Sequence, residues 1–142
     1  MAIKDILLEK GSAVARVDPE ASVDHVIDEL SARRIGAVLV MQGDSILGLV
    51  SERDIVRALA RHDPDVRGLR ARDIMTSPLA TIGSGDSVIR AMGLVTGRRI
   101  RHLPVVDSGI LVGIVSIGDL VKARIEEIES EADALKDYIG MA

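Results

Sequence analysis

Apolar residues fall at Val23, Val26, Ile27 and Leu30, the i, i+3, i+4, i+7 spacing that gives a helix one buried stripe. Val88, Ala91, Met92 and Val95 repeat that spacing further along. Ser22 and Ser87 stand just ahead of the two stripes, where a hydroxyl caps a helix. Asp18-Pro19 and Gly83-Ser84-Gly85 supply the turns that precede them. Two short β-branched runs follow each helix: Ala37 to Met41 with Ile46 to Val50, then Leu103 to Val106 with Leu111 to Val115. Gln42-Gly43-Asp44-Ser45 and Asp107-Ser108-Gly109 separate the runs and read as hairpin turns. A further helix opens after Val50 and after Val115. The pattern predicts an α/β chain built from one unit used twice: short strand, helix, strand, hairpin, strand, helix.

The repeat is visible in the residues themselves. Gly48-Leu49-Val50-Ser51-Glu52-Arg53-Asp54-Ile55-Val56 returns 65 positions later as Gly113-Ile114-Val115-Ser116-Ile117-Gly118-Asp119-Leu120-Val121. The same offset carries Arg33-Arg34-Ile35 onto Arg98-Arg99-Ile100 and Ser22-Val23 onto Ser87-Val88. Upstream, Lys4-Asp5-Ile6-Leu7 matches Arg72-Asp73-Ile74-Met75 at an offset of 68, so the first copy carries a short insertion around Glu9-Lys10-Gly11. The copies are expected to span 1–62 and 69–124, with 125–142 a helical extension and Asp63-Pro64-Asp65-Val66-Arg67-Gly68 a linker. One copy of about 60 residues is marginal as a separate domain. The sheet of each needs a cover that the other can supply, so the pair is expected to pack about a pseudo-two-fold axis.

Composition narrows the chemistry. The 142 residues include no cysteine, which excludes a disulfide scaffold, a thiolate metal site and a cysteine nucleophile. Tyr138 is the sole aromatic, too little for stacking nucleic-acid bases, and the net charge of −4 has the wrong sign for a general phosphate-backbone binder. No apolar run approaches the roughly 20 residues of a membrane helix. Met1-Ala2-Ile3-Lys4-Asp5 lacks the basic flank and apolar stretch of a secretory signal, and the expectation is a soluble cytoplasmic protein.

The repeated Gly-apolar-apolar-Ser-x-x-Asp motif marks a strand end turning into a helix start. It has two readings. Ser51 or Ser116 can cap its helix, with Asp54 or Asp119 favouring the positive helix end. The same place also suits a nucleotide. Free N–H groups at a helix start attract phosphate, and a carboxylate one turn on can accept both hydroxyls of a ribose.

Taken together, Asp73-Ile74-Met75-Thr76, Arg101-His102-Leu103-Pro104-Val105-Val106-Asp107, Leu111-Val112-Gly113-Ile114-Val115-Ser116 and Gly118-Asp119-Leu120 resemble a pair of CBS domains, or Bateman module, over roughly Ile3 to Arg124. The resemblance implies non-catalytic binding of AMP, ADP or ATP, NAD(H) or S-adenosylmethionine in two clefts between the copies, with occupancy relayed to an effector protein. It places ribose on Asp54 and Asp119 and phosphate near Ser51 and Ser116. The strand openings Ile35-Gly36-Ala37 and His102-Leu103-Pro104 would read the adenine edge mostly through backbone groups, with Val14, Leu79 or Ile100 gripping the base. Arg53 in the first copy is replaced by Gly118 in the second, and Arg101-His102 in the second by Gly36-Ala37 in the first, so the clefts are expected to differ. AMP in one and NAD(H) in the other is the expected pairing.

Other residues carry less. Arg33-Arg34 and Arg98-Arg99 can complement a helix end, remain solvated or meet a phosphate. His25 and His62 read as surface residues, and His102 as a phosphate donor or a satisfied half-buried imidazole. No metal-ligand spacing and no nucleophile–base arrangement is present. Val121, Ile125, Ile128, Ala132, Leu135 and Ile139 step by 4, 3, 4, 3 and 4. That is a helix-pairing seam, expected either to fold back on its own domain or, the favoured reading, to join a homodimer together with the faces of the paired copies.

Overall fold

Two hairpins anchor the fold. In the computed structural model, which describes residues 1–61 and 65–141, β2 (Ala37–Gln42) pairs antiparallel with β3 (Ser45–Ser51), and β4 (His102–Asp107) with β5 (Ile110–Ser116). His62, Asp63, Pro64 and Ala142, to which the sequence assigned a copy boundary, part of the linker and the chain end, lie outside the described residues. The turns hold the left-handed backbone that two-residue hairpin loops require: Gly43 at φ 59°, Ser108 at 50° and Gly109 at 78°. Each strand runs past its apolar run because ladder pairing continues to the residues beside the turn, Gln42 with Ser45 and Asp107 with Ile110. The first hairpin gains a parallel edge strand, β1 (Arg16–Val17), beside β2. In the second copy this strand shrinks to a single parallel bridge between Ile82 and Val105.

The helices follow the predicted stripes. In α2 (Val23–Arg33) Val23, Val26 and Leu30 are buried, and in α5 (Val88–Arg98) Val88, Ala91 and Val95 are. Removal of each of these valine and leucine side chains from water contributes about 1.5–3 kcal/mol. Ser22 Oγ accepts the His25 N–H and Ser87 Oγ the Arg90 N–H, both at 3.1 Å, as expected of N-caps. Both helices stop at an arginine in left-handed backbone, Arg34 at φ 53° and Arg99 at 54°, after which the chain turns into β2 or β4.

The packing units are drawn differently from the sequence copies. One unit comprises 1–12 with 80–142, and the other comprises 13–79. Each copy's leading helix has crossed to the other copy's sheet. In the first unit α1 (Ile3–Lys10) places Ile3 and Ile6 in a core with Val88, Val95, Leu103, Val105 and Val115. Its backbone is fastened by Ile3 N–H to Asp86 O at 2.9 Å and Lys4 N–H to Ser84 O at 2.8 Å. In the other unit α4 (Ala71–Ile74) places Ala71 and Ile74 among Val17, Val23, Val26, Val38 and Val50, held by Ala71 N–H to Ala21 O at 2.8 Å.

Two equivalent glycines make room for the crossed segments. A Cβ on Gly48 would lie 2.7 Å from Met75 Sδ and 2.8 Å from the Thr76 carbonyl oxygen; one on Gly113 would lie 2.7 Å from a Leu7 methyl. Both sit beside a bulge in the partner strand, at Val40/Met41 and Val105/Val106. The strands then feed α3 (Glu52–Ala60) and α6 (Ile117–Met141). The long α6 carries the extension as one continuous helix. Val121, Ile125, Ile128, Leu135 and Ile139 remain exposed on it, so the seam does not fold back on its own unit. No helix among the described residues is long and apolar enough to cross a membrane.

Candidate functional site

Both Ser-x-x-Asp motifs stand where β3 turns into α3 and β5 into α6. At the first, Ser51 N–H donates to Asp54 Oδ2 at 2.8 Å and Asp54 N–H donates back to Ser51 Oγ at 3.3 Å, a reciprocal capping box. At the second, Ser116 N–H reaches Asp119 Oδ2 at 2.8 Å and Asp119 N–H reaches Ser116 Oγ at 3.1 Å. The cap is therefore real in both copies. Asp5 and Asp73 accept the backbone N–H three residues ahead in the same way, from Ala2 at 2.9 Å and Arg70 at 2.8 Å. Capping alone does not set Asp54 and Asp119 apart.

What distinguishes them is a further donor from a distant segment. Thr76 Oγ1, just beyond α4, donates to Asp54 Oδ1 at 2.8 Å. Asp54 is 7% exposed and is the one buried charged residue among those described. In the second copy the donor is Lys10, at the end of α1, whose ammonium lies 2.7 Å from Asp119 Oδ2 and 3.0 Å from the Ile114 carbonyl. Burial pushes the Asp119 carboxyl upward, but Lys10 and the Ser116 N–H outweigh it and hold the group below its ordinary range.

The strand openings lie against the helix starts. Ala37 pairs with Ser51 and His102 with Ser116, while Glu52 N–H donates to Gly36 O at 3.0 Å and Ile117 N–H to Arg101 O at 2.8 Å. Gly36 and Ala37 thus gather with Ser51 and Asp54, and Arg101 and His102 with Ser116 and Asp119. Leu103 is wholly buried in the core, and Pro104 O already accepts the Ile82 N–H at 3.1 Å. Ile35, Val14, Leu79 and Ile100 are half-buried, with Ile35 and Ile100 packed against the cores of their own units. Arg53 and Arg101 are exposed, as is His25; His102 is half-buried. Arg33 is bound to Glu29 at 2.7 Å along its own helix.

Lys10 was not singled out as a site residue, although the insertion around it was. α1 runs to eight residues against four in α4, and Lys10, within the three-residue insertion, ends it with the ammonium at Asp119. The second unit has another pairing the sequence did not reveal: Ser84 donates its N–H at 2.9 Å and its hydroxyl to the Asp107 carboxylate, lowering that group's pKa. Among the described residues no group of three or more His, Cys, Asp or Glu is placed to hold a metal ion.

Comparison with known proteins supplies the wider setting. The model of the CBS domain matches residues 3–61 and again 71–126. A CBS-domain containing protein from Agrobacterium tumefaciens is 37% identical, with a TM-score of 0.84 over 87% of this chain and 99% of that one. A CBS domain protein from Pyrobaculum aerophilum, solved in complex with AMP, is 31% identical, with a TM-score of 0.74 over 84% of this chain and 89% of that one. The mitochondrial CBS domain-containing protein CBSX3 of Arabidopsis thaliana is 30% identical over 96% of this chain and 71% of its own length.

Proposed function

The chain belongs to the CBS-domain family, and from that premise we propose that it is a regulatory, energy-sensing protein that binds adenosine nucleotides without transforming them. The ribose hydroxyls are taken by Asp54 and Asp119, and the phosphates lie towards Ser51 and Ser116. The observation that carries this reading is that both carboxylates, alone among the four helix-capping aspartates described, receive a further donor from a separate segment. At Asp54 the Thr76 hydroxyl fixes the carboxylate for a diol to approach, and at Asp119 Lys10 holds it until a ligand takes its place. AMP is favoured as one ligand, in line with the Pyrobaculum relative. The copies differ at Gly36 and Arg101, at Ala37 and His102, and at Arg53 and Gly118, which suits a second, larger ligand such as NAD(H). S-adenosylmethionine is the alternative adenosine compound.

Ligand binding shifts the population of conformers and alters the surface shown to an effector protein. A second copy of this chain pairs along α6, whose exposed apolar side chains keep heptad-like spacing while Glu129, Glu131 and Asp133 stay off the seam. The capping boxes support a second reading, a structural or adaptor homodimer whose Ser and Asp residues only cap helices. Mass spectrometry of ligand co-purified with the native protein, followed by thermal shift with AMP, ATP, NAD and S-adenosylmethionine, separates the two. Nucleotide recovered with the protein and a rise in melting temperature support the sensor. Empty protein with no shift leaves the adaptor.

A further inference from the structure

The three-residue insertion in the first copy extends α1 by most of a turn, and Lys10 stands at its end. Asp119 Oδ2 already accepts the Ser116 N–H and the Lys10 ammonium, which together use both of its lone pairs. A ribose diol that needs both carboxylate oxygens must therefore displace Lys10. The displaced ammonium, at an exposed position, gains most from a ligand that carries its own anion, because the nearby carboxylates have partners, Asp5 with the Ala2 N–H among them. Lys10 and Asp119 line a depression of about 220 Å³ with Glu9, Lys122 and Glu126. Lys122 Nζ lies 3.2 Å from Glu9 and 4.0 Å from Glu126, so those two acids share a cation of their own.

A nucleotide brings the missing anion as its phosphate. Uncharged adenosine brings none, and S-adenosylmethionine brings a carboxylate only together with a sulfonium and an ammonium, so its net charge is positive. The first copy has no such requirement, because its third donor is the neutral Thr76 hydroxyl. We propose that Lys10 is a specificity residue that makes the Asp119 site select phosphate-bearing adenosine compounds over uncharged or cationic ones. The inference rests on the reading that Asp119 receives a ribose. The flexible four-carbon stem of lysine lets the ammonium pass from carboxylate to phosphate without moving α1.

The test is an amide NMR titration of the full chain with AMP, adenosine and S-adenosylmethionine, following the Ser116 and Gly118 signals, which report on this site alone. The wild type should prefer AMP over adenosine by about tenfold or more, the usual worth of a hydrogen bond to a charged group. Lys10→Met keeps the stem at an exposed position and should lose most of that preference, with adenosine binding tighter than in the wild type. An AMP-to-adenosine ratio unchanged by Lys10→Met overturns the assignment while leaving the ribose reading intact. Failure of every compound to move these signals in the wild type removes the ribose reading and the assignment with it.

Discussion

Thr76 donates its hydroxyl to Asp54 Oδ1 at 2.8 Å, across 22 residues of sequence, and so ties the second copy's leading segment to the first copy's helix start. Gly48 permits this approach, since Leu49 exchanges backbone hydrogen bonds with Thr76 in both directions, at 3.1 and 2.8 Å. Thr76→Val keeps the shape and removes the donor. It should lower stability by about 1.5–3 kcal/mol, the worth of a hydrogen bond to a charged group, measured from urea unfolding midpoints. No change would mean that water replaces the hydroxyl without loss.

The two equivalent glycines should respond unequally to a methyl group. At Gly48 the added Cβ meets a backbone carbonyl, which cannot step aside, whereas at Gly113 it meets only the end of the Leu7 side chain. Gly48→Ala should cost about 1–3 kcal/mol and Gly113→Ala less, as thermal or urea unfolding will report. Equal costs would argue that the crossed segments shift together.

The hairpins, the capped helices and the duplication were legible because they rest on local spacing: Ser22 and Ser87 before a stripe, and Gly43 and Gly109 in a turn. The exchange of α1 and α4 was not, since the similar leading residues Ile6 and Ile74 fit either sheet and only tertiary packing decides between them. Asp54 and Asp119 were legible as residues, and so was their capping role. Their donors from distant segments were hidden, because Thr76 and Lys10 reach them over 22 and 109 residues. The two donors do not occupy matching repeat positions, so the register of the duplication gave no pointer to Lys10.

Acid should probe the Lys10–Asp119 pair. The folded Asp119 carboxyl sits below its ordinary value of 3.8. Its contribution to stability is therefore present above that value and lost as pH falls through the lower folded one. Other lowered carboxyls, Asp107 and Glu127, add to the same acid loss, so the informative quantity is a difference. Stability of the wild type relative to Lys10→Met, followed by urea unfolding from pH 6 to pH 3, should narrow below about pH 4. A constant gap would show that Lys10 does not act through the Asp119 charge.

The α6 seam predicts association. Ile125 and Ile128 are 51% and 48% exposed, so Ile125→Glu with Ile128→Glu should leave folding within about 0.5 kcal/mol of the wild type. Sedimentation should find a dimer for the wild type and a monomer for the double variant. A wild-type monomer at micromolar concentration would remove the seam as an interface.

The most direct test is titration calorimetry with AMP and with NAD on the wild type, Asp54→Ala and Asp119→Ala, alongside unfolding of all three. Each substitution also removes a capping partner and should cost roughly 1 kcal/mol of stability. The account predicts nucleotide binding to the wild type and loss of one binding event in each variant. Heat of binding that survives both substitutions, while only stability falls, would contradict it.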